Sequence, residues 1–193
     1  MRLTQVHLIE VGAQRFGIND SAKKVDTPMV EGYIASRDQC PDPKASDAQV
    51  LEMQSLVGTV AYVAANTRHT LKHSVSSLSR VATNPAQEHL KAARRALTYL
   101  YQTKNVPLVF KHADWTGLDG VHYKAATPYA YADASLGNSG RCELRRSFGG
   151  CVVVMNGAVI HSRSGLQKST ADSSAKAETI EIYYTTQIGR AHV

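Results

Sequence analysis

Tyr129-Ala130-Tyr131-Ala132-Asp133-Ala134-Ser135 and Ser173-Ser174-Ala175-Lys176-Ala177-Glu178 frame the stretch whose reading decides the fold. The first alternates as a half-buried strand does and carries an acid near its end. The second opens a helix, capped by Asp172 or Ser173, that runs toward Gln187. Between them, Cys151-Val152-Val153-Val154-Met155 and Ala158-Val159-Ile160 flank Asn156-Gly157. Asn-Gly favours the positive φ values of a type I′ turn, so the two runs read as a hairpin. The order is a strand with an acid, a hairpin, and a helix with a second acid.

That order has a chemical meaning. Two hard metal ions about 3.5–4 Å apart share carboxylate oxygens when they activate water and stabilise a leaving oxygen on phosphate. Asp133 and Glu178 are the candidate ligands. The plainer readings are an ordinary strand-end acid and a glutamate placed for the helix dipole. Asp114 and Asp172 read as a loop acid and a helix cap. His69 and His73 are four apart on a helical face, but no cysteine or carboxylate stands ready to complete a metal set.

Working outward, the N-terminal half is helical. Residues 1–25 hold a short helix with Val6, Ile9 and Ala13 on one face, closed by Phe16-Gly17-Ile18. Residues 41–46 form a loop. Val50, Met53, Val57, Val60 and Ala64 mark a helix over 47–65, and Leu71, Val75 and Leu78 a second over 70–82. A third is expected with Asn84 as cap, Pro85 in the first turn and Gln87 three residues after the cap. Leu90, Ala93, Leu97 and Leu100 form its buried stripe, leaving Lys91, Arg94 and Arg95 on the other faces. Residues 106–110 return to a strand or extended connector.

The net charge of +6 is concentrated. Within 68–104, Arg68, Lys72, Arg80, Lys91, Arg94, Arg95 and Lys104 face Glu88 alone, so the rest of the chain sums to neutral. A basic segment suits a polyanion, because phosphate contacts release counterions, although a solvated helix face looks the same. Arg141, Arg145 and Arg146 form a further basic loop. Trp115 and Tyr123 are candidates to stack on bases or simply to pack. Cys40, Cys142 and Cys151 are odd in number and form no C-x-x-C pair, which points to a reducing, intracellular setting. No apolar run approaches the roughly 20 residues of a membrane span. The start lacks the apolar stretch of a signal peptide.

Ser55-Leu56-Val57-Gly58-Thr59-Val60-Ala61-Tyr62, Thr67-Arg68, Leu78-Ser79-Arg80, Asn84-Pro85, Glu88-His89 and Ala96-Leu97-Thr98-Tyr99-Leu100 follow one another in order. Arg146-Ser147, Gly150, Ile160-His161-Ser162-Arg163-Ser164, Gln167 and Ser173-Ser174 through Ala177-Glu178 continue the series. This ordered set resembles the C-terminal part of the Pol polyprotein of copia-type LTR retrotransposons. The resemblance implies an α+β chain, with a helical connection module followed by a truncated ribonuclease H-like mixed sheet with one helix. Residues 1–46 would be the end of reverse transcriptase and a linker, 47–105 the connection segment, and 106–187 the N-terminal half of ribonuclease H. It implies that Asp133 and Glu178 are catalytic and hold Mg2+ in a two-metal site. Its implied partners are an RNA–DNA hybrid and the remainder of Pol, in a cytoplasmic virus-like particle or the nucleus.

Some positions depart from the pattern. Lys176 replaces an acid, Thr179 an aromatic, His69 a proline and Ser135 an acid. The polymerase's paired aspartates and the third ribonuclease H aspartate are not in the chain, so the fragment alone is expected to be inactive. A non-catalytic nucleic-acid-binding remnant and an integrase-type nuclease are the competing readings. An integrase would place its next acid on a later strand. Ile188-Gly189-Arg190-Ala191-His192-Val193 is what ATC GGA AGA GCA CAC GTC encodes, a string within a common sequencing adapter, so residues 188–193 are expected to be adapter translation.

Overall fold

Ser46 opens the longest helix, α2 (Asp47–Asn66). Its hydroxyl accepts from the Gln49 amide while the Gln49 side chain accepts from the Ser46 amide, a reciprocal cap that satisfies two donors. Met53, Leu56, Val57, Val60, Val63 and Ala64 of α2 are buried, at the helical spacing the sequence suggests. Before it comes α1 (Val6–Arg15), which stops where Gly17 adopts φ +71. The two helices touch through Gly12, where a Cβ would lie 2.5 Å from the Thr59 methyl. After a 3-10 turn at His69–Leu71 come α3 (Lys72–Ser79) and α4 (Gln87–Gln102). Leu90, Ala93, Leu97 and Leu100 of α4 complete the core with Ile9, Ala13, Leu71 and Leu78.

The start of α4 differs from the sequence reading. Asn84 does not cap it. The Asn84 amide instead accepts from Ala45 N (2.8 Å) and donates to Pro41 O (3.2 Å), fastening the 41–46 loop. The helix begins two residues later than a cap at Asn84 would require. There Nδ1 of the fully buried His89 accepts from Ala86 N at 3.0 Å. At the other end, Arg68 is buried and donates to the Thr103 carbonyl (2.5 Å) and hydroxyl (2.7 Å), satisfying a group just past the last turn.

The structure is a computed structural model that describes residues 1–117, 120–137 and 146–188. The chain divides into two units: Thr4–Pro107, just described, and Met1–Leu3 together with everything from Leu108 on. In the second unit β1 (Arg2–Leu3) pairs with β2 (Leu108–Val109), and β3 (Trp115–Thr116) with β4 (His122–Tyr123). A three-stranded sheet follows in the order β5 (Tyr129–Ser135), β6 (Phe148–Met155), β7 (Ala158–Leu166). Asn156 (φ 52) and Gly157 (φ 76) make the expected tight turn between β6 and β7. Helix α5 (Ser174–Ile188) packs on β5 and β6. Among the described residues every strand pair is antiparallel, so the sheet there is not mixed. No described helix is long and apolar enough to cross a membrane.

Candidate functional site

Strand register decides where the candidate acids point. Asp133 pairs with Gly150, and the next pair along is Ala134 with Gly149. A Cβ on Gly149 would meet the Glu181 carboxylate at 1.9 Å, so the Gly149 side of the sheet is the one α5 covers. Neighbouring residues on a strand face opposite ways. Asp133 therefore lies on the face away from α5, with Tyr131 and Ser135. It is exposed, and its Oδ1 accepts from Ala134 N at 2.9 Å. Glu178 sits on α5 one residue past the buried Ala177, and is exposed as well. Both acids are open to solvent. Among the described residues no group of three His, Cys, Asp or Glu could hold a metal ion. The acids present do not by themselves fit a magnesium pair.

Ser173, not Asp172, caps α5: its hydroxyl accepts from Lys176 N at 3.3 Å. Asp172 instead meets the Lys176 ammonium at 3.2 Å, and that hydrogen bond holds its carboxyl below the usual range. Lys176 is thus engaged by the residue before the cap.

The sequence reading missed the most buried acid. Glu181, on the inner face of α5, is 0% exposed, and its Oε1 pairs with Arg163 Nη1 at 2.5 Å. The Arg163 guanidinium also lies 4.6 Å from the Tyr184 ring centroid. Gln167, equally buried, donates to the Ala177 carbonyl at 2.7 Å. Glu181 Oε2 and Gln167 Oε1 have no hydrogen-bond partner. Gly149 leaves the room the carboxylate fills. A glycine in a strand marks such a close approach, which is the one signal that could have pointed here.

The basic residues of α4 are employed internally. Lys91 pairs with Glu88 at 2.7 Å. Arg94 pairs with Glu52 and donates to Phe16 O at 3.1 Å. Arg95 donates to the carbonyl and hydroxyl of Thr27, both at 3.1 Å. Tyr101 reaches Asp20, and Gln102 holds Ala22, Lys23 and Val25. Residues 16–27 therefore run across the α4 face that the sequence assigns to a polyanion. Arg146 is half-buried at the entry to β6. Arg141 and Arg145 lie outside the described residues, as do residues 189–193 of the expected adapter tail. Trp115 and Tyr123 pack on each other, stacked at 4.3 Å, with Lys111 4.6 Å above the indole.

No protein-family model and no solved structure matches the chain. Among known proteins it is similar to the retrovirus-related Pol polyprotein from transposon TNT 1-94 of Nicotiana tabacum. They are 33% identical over 181 residues, 92% of this chain and 12% of that protein. It is 30% identical to the Pol polyprotein from transposon RE1 of Arabidopsis thaliana over 161 residues, 82% of this chain and 10% of that protein. The secreted RxLR effector protein 161 of Plasmopara viticola is 33% identical over 133 residues, 69% of this chain and 85% of that protein. The chain thus spans about a tenth of the Pol polyproteins it matches.

Proposed function

Since the chain belongs to the retrovirus-related Pol polyproteins of copia-type transposons, we propose that it is their junction between reverse transcriptase and ribonuclease H. The parent activity would be hydrolysis of RNA in RNA–DNA hybrids, in the element's cytoplasmic particle or the nucleus. One observation carries this reading: β5 with Asp133, the β6–β7 hairpin, and α5 with Glu178 succeed one another in the order the resemblance requires. Asp133 and Glu178 are the acids this segment would contribute. That no group of three possible ligands gathers among the described residues supports an incomplete site, inactive by itself. Magnesium belongs to the completed domain, and no chemical step is assigned to this chain.

A longer polyprotein, carrying this chain and the segment that follows it in the Pol relatives, tests the reading. It should cut the RNA strand of a labelled hybrid, and Asp133→Asn should abolish cutting. Undiminished cleavage by Asp133→Asn would overturn the assignment. One observation favours a second reading, a stand-alone binding protein without catalysis. The chain covers 85% of the Plasmopara viticola relative, so a segment of this kind occurs without the rest of Pol. That reading expects hybrid binding to survive Asp133→Asn and the longer polyprotein to be inactive.

A further inference from the structure

The sheet face that α5 leaves uncovered carries an aromatic ring beside the candidate acid. Tyr131 and Asp133 are two apart on β5, on one face and about 7 Å apart along the strand. Tyr131 is 48% exposed. It does not hang loose. Its hydroxyl is hydrogen-bonded to the hydroxyl of Tyr123, which is 2% exposed. Tyr123 is locked in turn between Trp115, stacked at 4.3 Å and 12°, and Tyr129, edge-on at 4.6 Å. Its tip is held by a rigid aromatic cluster while much of the ring remains open to solvent.

We propose that Tyr131 is a nucleoside-stacking residue, seating one nucleotide of a bound strand next to Asp133. The inference rests on the nucleic-acid reading above and deepens it. Every base offers a π-face, so a stacking ring gives affinity with little sequence preference, as a general hybrid-binding protein needs. An anchored ring loses little freedom on binding, which separates this residue from a merely exposed tyrosine. Tyr62, 60% exposed on α2, serves as that comparison.

The test is fluorescence anisotropy of labelled RNA–DNA hybrid, single-stranded RNA and single-stranded DNA with the whole chain. Tyr131→Ala should weaken binding by about five- to a hundredfold, the range of one lost stacking contact. Tyr131→Phe, which keeps the ring but loses its hydroxyl anchor, should weaken binding less than Tyr131→Ala, by about two- to tenfold, and Tyr62→Ala should change nothing. If Tyr131→Ala fails to fold, photo-crosslinking of the unaltered chain to bromouracil-substituted strands decides, and Tyr131 should carry the adduct. Binding unchanged in a folded Tyr131→Ala, or adducts only elsewhere, overturns the inference alone. Failure of the unaltered chain to bind any of the three overturns the nucleic-acid reading with it.

Discussion

Replacing Arg163 by methionine strands the Glu181 carboxylate between α5 and the sheet. The carboxylate is fully buried, one oxygen already lacks a partner, and the other loses its 2.5 Å contact. Removing one partner of a buried pair costs about 3–5 kcal/mol, because the remaining charge stays desolvated. The 31% exposure of the Arg163 side chain lets water reach the gap, so the lower end, about 3 kcal/mol, is expected. With a urea m-value of about 2 kcal/mol/M, the midpoint should fall by roughly 1.5 M. Trp115 is the only tryptophan and lies in the same unit, so its fluorescence follows that unit's unfolding specifically. Replacing both residues with methionine should recover most of the loss, since an apolar pair of similar size leaves nothing unpaired. A double-mutant cycle with coupling below about 0.5 kcal/mol would refute the argument.

Gly149→Ala should destabilise the same unit by about 1–3 kcal/mol through overpacking, since its Cβ would fall 1.9 Å from Glu181 Oε2. Adding Glu181→Ala should relieve it in the same fluorescence assay. Burial pushes the His89 and His73 imidazoles below the usual value of 6.5, so the unfolded chain takes up protons more readily. Their contribution is full above pH 6.5 and is lost as pH falls toward the folded values. Circular dichroism melts of the helices should therefore drop between pH 7.5 and 5.5, and His89→Gln should flatten part of that drop. Arg94→Ala and Arg95→Ala should each speed protease cleavage within residues 16–30, whereas Lys91→Ala, removing an exposed pair, should leave the digestion pattern unchanged.

Periodicity was enough to place α2 and α4 because each buries a stripe at three- and four-residue spacing, and local pattern carries that information. Asn156-Gly157 likewise announced its turn through local conformational preference. What escaped depends on partners far along the chain. Asn84 looked like a cap, but the 41–46 loop supplies it with better partners, and buried His89 takes over at the helix start. Arg94 and Arg95 looked like a free cationic face because nothing nearby in sequence reveals that residues 16–27 cross it. Glu181 could not be read as buried, since its burial needs Arg163 from β7 and the missing side chain of Gly149 from β6. The order of Asp133 and Glu178 was legible, while the face Asp133 occupies follows only from strand register.

The pairing of β1 with β2 makes the helical unit an insertion into a β-ladder. Phe110 N donates to Met1 O across 109 positions, and Leu3 lies opposite Leu108. Closing so long a loop in an unstructured chain costs about 4 kcal/mol, more than two short strands return. Once the helices have folded, their ends are already held, and that cost is met beforehand. The Phe110 amide thus becomes a remote gauge of helical order. Its hydrogen-exchange protection should collapse when α2 or α4 is loosened by substitutions that touch no residue of the ladder.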